Sequence, residues 1–170
     1  MDIDLPEIVA EVKAAFERYE QALVSNDVAV LDVLFRDDPR TIRYGATENL
    51  YGYDAIKAFR AARSPIGLAR TLSKTVITTY GRDYAVASTL FRRDTLPGRV
   101  GRQTQTWVRC QDGWRVVVGL VCVIDAPAGP LSPPIGRNRE SSIPRACSLR
   151  SMDRKSLISP MAKGSAREPK

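Results

Sequence analysis

The chain has 170 residues, 44% of them hydrophobic, which suits one soluble domain with an ordinary core and leaves no room for a second of full size. Its formal charge is +7, from 26 Lys and Arg against 19 Asp and Glu, and it contains no histidine. That absence excludes Ser-His-Asp and Cys-His nucleophilic machinery and histidine metal sites, and leaves acid–base work to Tyr, Asp, Glu, Lys or Cys.

The charge is unevenly spread. From Ala126 onward there are nine basic and three acidic residues, a net +6, together with seven of the eleven prolines and eight serines. Such a stretch buries little, so residues 126–170 are expected to form a disordered, basic, Pro/Ser/Arg-rich tail behind a domain of residues 1–125. The body is left near neutrality, at +1, so no nucleic-acid partner is expected for the folded domain. Cys110, Cys122 and Cys147 are odd in number and lack metal-ligand spacing, which predicts reduced thiols and no metal. MDIDLPEIVAEV has neither a basic nor an apolar secretory region, and no uncharged run approaches membrane-spanning length, so a cytoplasmic protein with no membrane partner is expected.

In chain order, Ile8, Val9, Val12, Ala15, Phe16, Tyr19, Ala22 and Leu23 recur at helical steps behind Pro6 and Glu7, predicting an amphipathic helix of about five turns. Asn26 and Asp27 end it and cap a shorter helix with Val28, Leu31, Leu34 and Phe35 inward, stopped at Asp37, Asp38 and Pro39. Thr41 to Gly45 reads as a short strand and Ala46 to Gly52 as a loop. A third helix over Tyr53 to Arg63 faces inward with Tyr53, Ile56, Phe59 and Arg60, and Ser64, Pro65 and Gly67 close it. Four β-type runs follow, Ala69–Tyr80, Tyr84–Arg93, Val100–Cys110 and Trp114–Ile124, separated by GRD, LPG and QDG turns. The expectation is an α+β fold, with three N-terminal helices packed on a curved antiparallel sheet that encloses a hollow.

The segments FERYEQALVSND, TIRYGATENLYGYDAIKAFRAAR, RTLSKTVITTYGRDYA, GRQTQTWVR and GWRVV, spread over residues 2 to 125, resemble the HpxZ/AtzH-like family within the nuclear transport factor 2-like (NTF2-like, SnoaL-like) cone fold. The resemblance implies a homodimer of ureide, oxalurate or s-triazine nitrogen catabolism, whose substrate is a small carboxylated urea or an oxamate-like anion. It implies a decarboxylating amidohydrolase working without metal or cofactor on 1,3-dicarboxyurea. The alternative is a non-catalytic ligand-binding or accessory subunit with an amidase as partner. An isomerase or cyclase of the same cone fold would want an acidic pocket residue that the sequence does not place. The family's proposed functional pair, a tyrosine in the first helix and an arginine in the first strand, matches Tyr19 and Arg43. Its members commonly carry a histidine in the last strand, about where Leu120 stands here, and they end soon after that strand.

Strand alternation puts Arg43 on one face with Thr41 and Gly45, and a guanidinium there can grip a carboxylate through two parallel bonds. A surface or salt-bridged arginine is the plainer alternative. Tyr19 shares the apolar helix face, where its hydroxyl serves either as a proton carrier beside a guanidinium or as a core phenol bonded to backbone. Glu48 and Asn49 follow the strand and are expected at the rim, with Glu48 as a solvated acid or Arg43 counter-ion otherwise. Gln103 and Gln105 alternate with Thr104 and Thr106; one row lines the concavity as substrate donors, the other meets solvent or a dimer mate. Trp107 or Val108 would lie in that dimer face. Leu120 shares parity with Trp114, Val116, Val118 and Cys122, which reads as core.

Overall fold

The computed structural model describes residues 1–127. Nearly all of the expected tail lies outside the described residues. Three helices, α1 (Pro6–Ser25), α2 (Val28–Leu34) and α3 (Tyr53–Ala62), accompany six strands, β1 (Ile42–Tyr44), β2 (Asn49–Tyr51), β3 (Thr71–Tyr80), β4 (Tyr84–Arg92), β5 (Arg99–Cys110) and β6 (Gly113–Asp125). Pro6 opens α1, where a missing N–H costs nothing, and Asn26 ends it in the left-handed region at φ 56°. Asp27 caps α2, its carboxylate accepting from the Val30 N–H at 3.0 Å.

The sheet order is β2-β1-β6-β5-β4-β3. The long strands β3 to β6 form the anticipated antiparallel meander, because short turns can join only antiparallel neighbours. Two features differ from expectation. The segment read as a loop, Ala46 to Gly52, contains β2, which pairs with β1 as a small hairpin, and β1 runs parallel to β6. Both strands are three residues long, too short to show a period of two. The sheet is therefore mixed, though mostly antiparallel.

The helices lie against one face of the sheet. Ile8, Val12, Phe16, Tyr19, Ala22 and Leu23 of α1 and Leu31 and Leu34 of α2 meet Ala85, Ala87, Trp107, Trp114 and Val116 in one buried cluster. Each large apolar side chain so buried contributes roughly 1.5–3 kcal/mol. Gln103, Gln105 and Trp107 face inward on β5, which resolves the two-row choice in favour of the glutamines and moves Trp107 from the outer surface into the core.

Leu120 also departs from expectation. The register of β5 against β6 shifts between Thr106 and Trp107, so Val117 is an extra residue on β6. A bulge reverses the inward–outward parity of everything beyond it. Trp114 and Val116 stay inside, whereas Val118 and Leu120 face outward at 38% and 41% exposure. Among the described residues no helix is long and apolar enough to cross a membrane.

Candidate functional site

At the end of the cone where α3, the β1–β2 hairpin and the β4–β5 turn converge lies a cavity of about 210 Å³. It is smaller than the roughly 300–1,000 Å³ of pockets that take drug-sized ligands. Phe59, Leu68, Phe91, Leu96, Val121 and Val123 give it an apolar wall. Its charged lining is Arg43, Arg63 and Arg93 against Glu48 alone, a formal excess of two positive charges.

Each arginine is placed by a local feature of the chain. Arg43 extends from β1 beside Gly119 of β6, and its guanidinium stacks 5.0 Å from the Phe59 ring centre. It is engaged by Glu48, whose other oxygen accepts from the Thr47 hydroxyl at 2.8 Å. Burial raises the Glu48 pKa, but the bonds from Arg43 and Thr47 outweigh it and hold the carboxyl below its ordinary value. Arg63 follows α3 and donates to Asn26 Oδ1 at 2.8 Å, tying the ends of two helices together. Arg93 follows β4 on the same parity as Thr89 and Phe91, both inward, and stacks 5.4 Å from the Phe91 ring centre.

Burial lowers the pKa of both Arg63 and Arg93, the mark of guanidinium charges held away from water. Neither forms an ion pair among the described residues, and the Nε of each is buried without a hydrogen-bond partner. Two further arginines behind the wall are compensated. Arg70 grips Glu20, with Nε to Oε2 at 2.9 Å, and also donates to Gln103. Arg60 bonds Asp32 and the Leu31 carbonyl, both at 3.0 Å.

The expected site residues are thus only partly gathered. Arg43 and Glu48 line the cavity together. Tyr19 sits deeper, 5% exposed, between Phe35 and Trp107, and is not one of the lining residues. Its hydroxyl makes no hydrogen bond among the described residues, yet it is not one of the sealed, partnerless polar atoms. Arg60 and Arg63 lie within electrostatic reach of both Tyr19 and Arg43. Gln103 is committed to Glu20 and Arg70. Gln105 is 1% exposed with its amide oxygen partnerless, as is the indole nitrogen of Trp107 next to it on the same face. Asn49 is exposed on β2 opposite Tyr44 and does not line the cavity.

Arg63 and Arg93 were not picked out from sequence. The parity of Phe91 and Arg93 was a usable signal, whereas the position of Arg63 just past a helix end carried none. A larger groove of about 730 Å³ opens elsewhere, but its Arg36, Arg109 and Arg115 are balanced by Asp32, Asp37 and Asp112. It has no charge preference to offer a ligand. Among the described residues no group of three or more His, Cys, Asp or Glu is placed to hold a metal ion.

Helices folded over a curved sheet, with a small charged cavity at one end, define an NTF2-like α+β protein. A Salmonella enterica protein of the nuclear transport factor 2 (NTF2-like) superfamily shares this fold at 22% identity and a TM-score of 0.55, covering 78% of this chain and 98% of its own. The AtzH-like family model matches residues 1–127, and the chain belongs to the AtzH-like family. A protein of unknown function of the DUF3225 family from Pectobacterium atrosepticum is 55% identical over 73% of this chain and 96% of its own, with a TM-score of 0.71. A cystatin-like fold protein from Burkholderia xenovorans is 45% identical over 75% and 99%, with a TM-score of 0.72. No curated protein matches the chain.

Proposed function

We propose that this protein acts on a small carboxylated urea or oxamate-like anion in ureide, oxalurate or s-triazine nitrogen catabolism, as a metal-free decarboxylating amidohydrolase. The observation that carries this reading is the cavity itself, small, apolar-walled and lined by three guanidiniums against one carboxylate. An anion of a few heavy atoms is the ligand whose charge offsets that excess. In the reaction, an arginine fixes one carboxylate through its planar fork. From behind the cavity lining, the Tyr19 hydroxyl supplies a proton to the nitrogen bearing the other, the C–N electron pair stays on nitrogen, carbon dioxide leaves, and the phenolate regains its proton from solvent. The hydroxyl is uncommitted among the described residues, which leaves it free to donate.

A second reading is a ligand-binding or accessory subunit working with an amidase. It is favoured by one observation, that Glu48 already occupies Arg43. Incubating the purified protein with 1,3-dicarboxyurea and following carbon dioxide and allophanate separates the two. Release that is lost in Arg43→Ala supports the enzyme; undiminished turnover in that variant refutes the role given to Arg43. Binding without turnover, with recovery of an amidase in a pull-down, supports the accessory subunit.

A homodimer joined through the outer sheet face belongs to the same proposal. Val76, Tyr84, Val118, Leu120 and Ile124 are exposed there at 36–55%, an apolar face that a second copy would cover.

A further inference from the structure

We infer that Arg63 and Arg93 form a second anion seat, so that the cavity selects ligands carrying two carboxylates rather than one. This deepens the proposal above by naming the residues that set its substrate class, and it uses the same cavity. Arg43 is engaged by Glu48, so it is not the first cation an entering anion meets unpaired. The Arg63 side chain holds only the neutral Asn26 amide, and the Arg93 side chain makes no hydrogen bond or ion pair among the described residues. Both line the cavity, and both have a buried Nε with no partner.

Partnerless guanidinium nitrogens at half-buried positions cost stability, and a protein keeps such groups where a ligand completes them. Elsewhere the same molecule pairs its buried arginines: Arg60, 3% exposed, has Asp32, and Arg70 has Glu20. Arg63 and Arg93, at the cavity, have no such acid among the described residues. A carboxylate placed between Arg63 and Arg93 supplies it. A second carboxylate on the same small molecule then reaches toward Arg43 and competes with Glu48. Monocarboxylates satisfy one seat and gain little from the other.

The test uses the intact chain with sodium malonate and sodium acetate as probes, at constant ionic strength, by calorimetry and thermal shift. Malonate is expected to bind at least about tenfold more tightly than acetate, and Arg93→Met to weaken malonate by about tenfold or more, the loss typical of a charge-assisted bond. Arg93→Lys keeps the charge without the fork and should fall between. Arg93→Met should melt at or above the parent in the absence of ligand, because it removes an uncompensated half-buried charge, breaks no side-chain hydrogen bond or ion pair, and can keep apolar contact with the Phe91 ring. Should Arg63→Met perturb the helix ends through Asn26, the Arg93 variants still decide the matter. Equal affinity for malonate and acetate, no malonate binding, or unchanged malonate affinity in Arg93→Met overturns the inference. Malonate binding that depends on Arg93 without hydrolysis of any carboxylated urea would instead sink the proposed reaction and leave the seat standing.

Discussion

The carboxylate of Glu48 fills the space that a side chain on Gly45 would occupy. Gly45 is not in the left-handed region, so an alanine fits its backbone, but the new methyl would collide with the Glu48 carboxylate, the mobile end of a side chain. Gly45→Ala should therefore leave the fold intact while pushing Glu48 off Arg43. Malonate affinity should rise several-fold by calorimetry as Arg43 is released; a fall would mean that Glu48 assists binding.

The same carboxylate gives a pH-dependent contribution to stability. Its pKa is lower folded than unfolded, so the unfolded chain takes up a proton first as pH falls. The contribution is fully present above the unfolded glutamate value of about 4.3 and is lost as pH drops through the depressed folded value. Glu48→Gln should lose stability less steeply than the parent below about pH 4.3, with no difference in slope at neutral pH. Urea midpoints measured across that range check this, and parallel curves would contradict it.

Arg70 is almost wholly buried, with a side chain 1% exposed, and depends on Glu20. Removing one partner of such a pair strands the other, so Glu20→Ala should destabilise by about 3–5 kcal/mol. Converting both residues, as in Glu20→Leu with Arg70→Met, should recover much of that loss. Chemical denaturation of the single and double variants measures the difference directly.

The long elements were legible because their periods run for many residues: α1 shows its stripe over five turns, and β3 to β6 alternate between turn signals. What escaped was short or depended on register. β2 has three residues and no visible period. The extra residue at Val117 reversed the facing of Leu120, and nothing in VVVGLVCV marks where one β-branched residue among three becomes a bulge. At the site, Arg43 and Glu48 were readable as neighbours five residues apart. Arg63 and Arg93 lie thirty residues apart, and only the closure of the sheet over α3 places them on one cavity. The depth of Tyr19 likewise depends on how far Phe35 and Trp107 hold its ring from the lining.

Leu120 on the outer face carries a paired prediction. Leu120→His should leave malonate affinity unchanged, because the side chain points away from the cavity. Leu120→Glu should shift the proposed dimer toward monomer, since a charge buried between two apolar faces goes unpaired. Light scattering after size exclusion reads the second, and a monomeric parent would remove the reason for it.

Tyr19→Phe is the most discriminating change at the candidate site. The ring packs between Phe35 and Trp107 at centroid distances of 6.3 and 6.4 Å, and phenylalanine preserves that packing. The hydroxyl it removes makes no hydrogen bond among the described residues, so stability should change by no more than about 0.5 kcal/mol. A proton carrier removed in this way should lower kcat by about 10²–10⁴-fold while leaving substrate affinity near that of the parent. Release of carbon dioxide from 1,3-dicarboxyurea under saturating and limiting substrate gives both parameters. A large loss of stability with proportionate loss of activity would assign Tyr19 to the core instead, and unchanged kcat would remove it from the chemistry.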